Sequence, residues 1–193
     1  ELSTLVLNGT KKIGISAFEN CQKIKEVVFP VSLENIEDSA FKYCSALESV
    51  RIPAAVNKLG EDAFFNNAQL KTVTIEQNSN LVSIGASAFR GCTRLTDFTF
   101  GGDMQPSTEL TIGDGAFAEC GSLERIGQLA SSASQMNIHP NFKKIVDADP
   151  NNFYLLPQNV KSLGAANGIG VFSNCISLRL IGFMDNQTSG WEL

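Results

Sequence analysis

Apolar positions along this chain recur in a short pattern repeated many times. Ala-Phe stands at Ala17-Phe18, Ala40-Phe41, Ala63-Phe64, Ala88-Phe89 and Ala116-Phe117. The Phe-to-Phe spacings are 23, 23, 25 and 28 residues, and a related pair, Val171-Phe172, follows 55 residues later. Three residues after each Phe comes Cys21, Cys44, Asn67, Cys92, Cys120 or Cys175. Upstream lies an Ile/Leu anchor: Ile13-Gly14, Ile36-Glu37, Leu59-Gly60, Ile84-Gly85 and Ile112-Gly113. Downstream comes an alternating stretch of the form L-x-x-V-x-I: Ile24, Val27, Phe29; Leu47, Val50, Ile52; Leu70, Val73, Ile75; Leu95, Phe98, Phe100. Alternation of β-branched and aromatic residues predicts a strand in each copy. Leu2, Leu5 and Leu7 fit the same template, so the chain opens partway through a repeat.

Pro30 and Pro53 close two of these strands, since proline has no N–H with which to continue a ladder. Pro157, Val160, Leu163 and Gly164 reproduce the spacing of Pro53, Val56, Leu59 and Gly60. That match exposes a worn repeat between Phe117 and Phe172. Its strand is expected near Phe153–Leu156, with Phe142 in the Phe slot and Ile145 in the Cys slot. A unit of this size cannot bury its own apolar face, so the copies must stack. Stacking makes the strands a parallel sheet and places each Phe on the next.

The string I-G-x-x-A-F-x-x-C-x-x-L-x-x-V-x-I-P resembles the BspA-like leucine-rich repeat. The likeness is clear over about residues 1–126 and gapped over 151–184. It departs from the pattern at Asn67 and through about 127–150. The resemblance implies an α/β leucine-rich-repeat solenoid, right-handed, with a parallel sheet on the concave face and short helical or irregular convex turns. One domain is expected over 1–193, with clear repeats at 1–126, a degenerate repeat at about 127–156 and a last repeat at about 157–184. The resemblance also implies a cell-surface or secreted protein, an association with adhesion, and a partner such as a host extracellular protein.

Composition narrows the function. Hydrophobic residues make up 43% and charged residues 18% of the 193, enough to build a continuous core. A net charge of -5 without a Lys/Arg-rich run argues against nucleic acid and against anionic membrane surfaces. No apolar run is long enough for a membrane-spanning helix.

Candidate chemistry is sparse. The five cysteines share one repeat position and form no C-x-x-C, so packing explains them together. Ladder side chains point alike, and an odd count forbids full pairing, so free buried thiols are expected. His139, the one histidine, precedes Pro140 in a polar stretch and reads as a loop residue. Gly101-Gly102 and the run from Gly164 to Gly170 fit no phosphate-loop pattern. Asp147, Asp149 and Asn151 alternate like the start of a calcium loop, but Pro150 interrupts and no Gly or distal Glu falls at the EF-hand positions. Asn8-Gly9-Thr10 and Asn186-Gln187-Thr188 are glycosylation sequons, which matter only in a eukaryotic secretory protein. Trp191 could cap the last repeat. The reading is therefore no enzyme, no cofactor and no metal.

Partner binding is expected on the outward positions of the strands: Lys25, Glu26, Glu48, Arg51, Lys71, Thr72, Thr74, Asp97 and Thr99. Ser3, Thr4, Val6, Val28, Ser49 and Thr96 complete that surface, with Arg179 and Leu180 from the last copy. The partner is a protein or glycan macromolecule, bound without direct membrane insertion. A spacer that presents another domain is the alternative.

Overall fold

The computed structural model describes residues 3–101, 109–129, 154–156, 160–164, 168–178 and 181–183. Phe142, Ile145, His139, the Asp147–Asn151 stretch, Arg179, Leu180, the second sequon and Trp191 lie outside the described residues.

Each copy of the apolar pattern makes one rung of a stack. The L-x-x-V-x-I stretches become β1 (Thr4–Val6), β3 (Glu26–Val28), β5 (Ser49–Ile52), β7 (Thr72–Ile75), β9 (Asp97–Phe100) and β11 (Arg125–Leu129). They pair parallel, in that order, as one sheet. Every second residue points inward: Val27, Val50, Val73 and Phe98 are buried between exposed or half-exposed neighbours, as the two-residue strand period requires.

The Ile/Leu anchors form a second, shorter parallel sheet. Its strands are β2 (Lys12–Ile13), β4 (Asn35–Ile36), β6 (Lys58–Leu59), β8 (Ser83–Ile84), β10 (Leu110–Ile112) and, directly on β10, β13 (Val160–Leu163). Leu163 registers with Ile112, the place its match to Leu59 predicts. Rungs approach closely just after these anchors. A Cβ on Gly60 would lie 2.4 Å from the Asp38 nitrogen, and one on Gly85 would lie 2.5 Å from that of Glu61.

Between the two sheets each rung turns through its A-F-x-x-C segment. The six rings form a column in which Phe18, Phe41, Phe64, Phe89, Phe117 and Phe172 stack in succession, with centroids 5.1, 5.4, 5.2, 5.5 and 5.7 Å apart. Backbone bonds run beside the rings, from Phe18 N–H to the Ala40 carbonyl at 2.8 Å and from Phe64 N–H to that of Ala88 at 2.7 Å.

One expectation is corrected. Among the described residues there is no helix, so the α/β assignment and its helical turns give way to strands joined by tight turns. The reason is local. In each turn the residue before Ala (Ser16, Ser39, Asp62, Ser87, Gly115) and the second residue after Phe (Asn20, Tyr43, Asn66, Gly91, Glu119, Asn174) are left-handed, with φ between 53 and 74° for all but Ser16 at 52°. A right-handed helix cannot run through a left-handed residue every fourth position.

At the far end of the column, Phe172 stacks directly on Phe117, and Phe117 N–H bonds the Val171 carbonyl at 2.9 Å. One rung step separates these rings. β12 (Tyr154–Leu156) coincides with the strand expected near Phe153–Leu156, but it runs antiparallel to β11 and parallel to β14 (Ile181–Phe183).

Candidate functional site

Strand register brings six of the nine expected site residues, Glu26, Arg51, Thr72, Thr74, Asp97 and Thr99, onto one face of the larger sheet. Thr4, Glu26, Ser49, Thr72, Asp97 and Arg125 form one row across successive strands. Val6 and Val28 are partners in a second row, which Arg51, Thr74 and Thr99 continue. Lys25, Glu48 and Lys71 stand immediately before their strands and are exposed. They are joined by backbone bonds from Glu48 N–H to Lys25 O and from Lys71 N–H to Glu48 O.

Charges on this face are largely paired from rung to rung. Lys71 Nζ lies 3.2 Å from Glu48 Oε2. Arg51 Nε donates to Glu76 Oε1 at 2.7 Å, and the other oxygen of Glu76 accepts the Ala54 N–H. Arg125 grips Asp97 through both Nε and a terminal nitrogen, the latter at 2.7 Å, while the Thr96 hydroxyl donates to the same carboxylate. Burial alone would raise the Asp97 carboxyl, but the hydrogen bonds from Arg125 and Thr96 and the guanidinium charge outweigh it and hold the group below its ordinary value. Lys25 has no ion-pair partner among the described residues.

The same use of charge appears on the smaller sheet, where Lys12 and Lys58 approach Glu37 from opposite sides at 3.0 and 3.5 Å. The hydrogen bond from Lys12 is the main reason that Glu37 titrates below its ordinary value; burial opposes it, and the charge of Lys58 adds to the lowering. Exposed pairs of this kind contribute about 0–1 kcal/mol each. They fix register more than they add stability.

Reading the sequence alone missed Arg125 and Glu76. Leu123-x-x-Ile126 has the spacing of the earlier strands and was the available signal for Arg125. Nothing in the repeat pattern marks Glu76.

No three His, Cys, Asp or Glu side chains among the described residues are grouped to hold a metal ion. An open hollow over the smaller sheet is lined by backbone at Gly85, Gly113 and Gly164 and carries one carboxylate, Asp114. The five cysteines are free thiols; three are buried, and Cys21 and Cys175 are half-buried. Burial pushes the Cys44 and Cys92 thiols up to about 12, far from the range of a nucleophilic thiolate. No described helix is long and apolar enough to cross a membrane.

The model of the BspA type leucine-rich repeat region matches residues 2–124, in 6 copies. No curated protein matches the chain. Among solved structures, a leucine-rich repeat protein from Bacteroides ovatus is similar at 20% identity and a TM-score of 0.44, over 93% of this chain and 54% of its own. A leucine-rich cell surface protein from Faecalibacterium prausnitzii is similar at 17% identity and a TM-score of 0.37, over 97% of this chain and 74% of its own. The chain thus spans about half the length of the Bacteroides protein. With six family copies matched over residues 2–124 and the same copies seen as rungs of two parallel sheets, the chain belongs to the BspA-type leucine-rich repeat family.

Proposed function

We propose that this chain is a non-enzymatic binding module that takes a macromolecular partner, a protein, on the outward face of its larger sheet. The observation that carries the reading is the register. It gathers Glu26, Arg51, Thr72, Thr74, Asp97 and Thr99 into adjacent rows on paired strands, with exposed Lys25, Glu48 and Lys71 immediately before those strands. Broad sheet faces of solenoids suit extended contacts with partners. Glu48, Arg51, Lys71 and Asp97 are already held by ion pairs between rungs, so little ordering of these four is left to be done on binding. Val6 and Val28, 55% and 45% exposed, give that face an apolar corner beside Lys25. A cell-surface or secreted location and a role in adhesion follow from the family resemblance as part of the same proposal.

The spacer reading has an observation of its own. Arg51, Lys71 and Arg125 already hold carboxylates of neighbouring rungs, as they would in a stack built only to be stiff. Binding of the purified chain to extracellular-matrix, plasma and epithelial proteins separates the two. The variant combining Lys25→Ala, Arg51→Ala and Lys71→Ala runs beside it, with circular dichroism as a check of folding. Saturable binding that this folded variant loses supports the sheet face. Binding that it keeps, or no binding at all, removes the proposal and leaves the spacer.

A further inference from the structure

Repeats serve as one another's controls, because six turns share one backbone path and differ in side chain. The two residues after each column Phe are Glu19-Asn20, Lys42-Tyr43, Phe65-Asn66, Arg90-Gly91, Ala118-Glu119 and Ser173-Asn174. All lie outside the ring column, and all but the buried Gly91 and Ala118 reach the turn surface. The second of each pair is left-handed, a conformation that Asn and Gly adopt readily and a bulky residue does not. Asn20, Asn66, Gly91 and Asn174 follow that preference. Tyr43 and Glu119 do not: Glu119 holds φ 64° and turns its carboxylate to Arg90, whereas Tyr43 holds φ 60° and is 37% exposed. Phe65 occupies the first slot, which the other rungs give to charged or small residues. Neither aromatic is needed to build a rung, since the remaining rungs form without one.

The two aromatic exceptions, Tyr43 and Phe65, are neighbours. Tyr43 N–H bonds the Phe65 carbonyl at 2.9 Å, and the rings meet edge to face with centroids 5.6 Å apart at 89°. Lys42 Nζ sits 4.9 Å from the Phe65 centroid and 5.6 Å from that of Tyr43. Asp62 pins that ammonium at 2.7 Å, in an ion pair whose side chains are only 21% and 22% exposed. The next cation along, Arg90, is likewise held by Glu119 at 2.6 Å. The patch therefore shows rigid aromatic surface beside polar groups, with each positive charge already matched by a negative one.

That balance selects the ligand. An ionic partner gains little where each cation has its carboxylate. A neutral polyhydroxylated ring gains from both parts. Its C–H face lies against an aromatic ring. Its hydroxyls can bridge the spare donors of the Lys42 ammonium and the spare lone pairs of Asp62. We propose that Tyr43 and Phe65, with Lys42 and Asp62, form a site for neutral saccharides on the turn surface, separate from the sheet face.

The controls for the test come from the other rungs. Tyr43→Asn and Phe65→Ser install residues that the same slots hold elsewhere, so the double variant keeps its circular dichroism spectrum and melting temperature. Hexasaccharides of glucose, of mannose and of galactose are titrated to millimolar concentration against the full chain, and the aromatic proton resonances are followed. At least one hexasaccharide should shift the Tyr43 resonances saturably. The double variant should bind it roughly tenfold more weakly or worse, and the Lys25, Arg51, Lys71 triple variant should bind it like the parent. The proposal is overturned if no hexasaccharide moves these resonances, or if the double variant binds as well as the parent. It is equally overturned if the two rings prove to capture a protein that no saccharide displaces.

Discussion

Asn67 stands where the other rungs have cysteine, and it shows what the slot requires. In those rungs the thiol donates to the carbonyl of the preceding Phe: Cys44 Sγ to Phe18 O at 3.1 Å, Cys92 to Phe64 O at 3.2 Å, Cys120 to Phe89 O at 3.1 Å and Cys175 to Phe117 O at 2.9 Å. Burial keeps these groups protonated, which makes them donors and not thiolates. A small apolar side chain with one weak donor fits a buried column in which each Phe carbonyl has a lone pair to spare beyond any backbone bond it accepts. Asn67 reproduces the donation, from Nδ2 to Phe41 O at 3.1 Å, but its Oδ1 is buried with no hydrogen-bond partner among the described residues. A buried unsatisfied polar atom costs about 1–3 kcal/mol. Asn67→Cys is accordingly expected to stabilise the chain by about 1 kcal/mol, read as a higher urea midpoint at an unchanged slope. An unchanged or lower midpoint would show that the amide oxygen carries no such penalty.

At the level of the element, the ring column is the part most exposed to damage. Phe64 is fully buried between Phe41 and Phe89, whereas Phe18 is half-buried and stacks on Phe41 alone. Phe64→Ala should cost about 3–5 kcal/mol through lost burial and the cavity left behind. Phe18→Ala should cost roughly half as much, since it weakens one interface of the stack and not two. Equal losses in denaturant melts of the two variants would rule out nearest-neighbour control of stability. This column was legible in the sequence because Ala-Phe recurs at a nearly fixed period, and the larger sheet was legible because its strands alternate over enough residues to show the pattern. The smaller sheet was not. Lys12–Ile13 and its counterparts are two-residue strands, too short for any alternation to register. The turns carried a signal that went unread, for Ser, Asp, Asn and Gly recur at the two left-handed positions that exclude a helix. The outward site positions followed from alternation, but their pairing across rungs did not, because it joins residues about one period apart. Arg125 and Asp97 are 28 positions apart.

For the whole molecule, the described contacts are those of a one-dimensional array. Each ion pair between described residues joins one rung to the next. The rings, the thiol bonds and the backbone columns do the same. Nothing in such an array sets its length, because an added rung offers both neighbours the interfaces they already make. Residues 34–56 form one such unit, from β4 through Phe41 and Cys44 to β5 and Pro53. A second copy of 34–56 inserted after Val56 would place another Phe between Phe41 and Phe64 and another thiol under the Phe41 carbonyl that Asn67 now serves. The lengthened chain is expected to keep its fold and its single cooperative transition. Its urea slope should rise with the extra surface buried, at a midpoint no lower than before. A lower midpoint or a split transition would mean that contacts beyond the adjacent rung hold the stack together. In that case the face carrying Lys25, Arg51 and Lys71 would depend on the whole molecule and not on its own few strands.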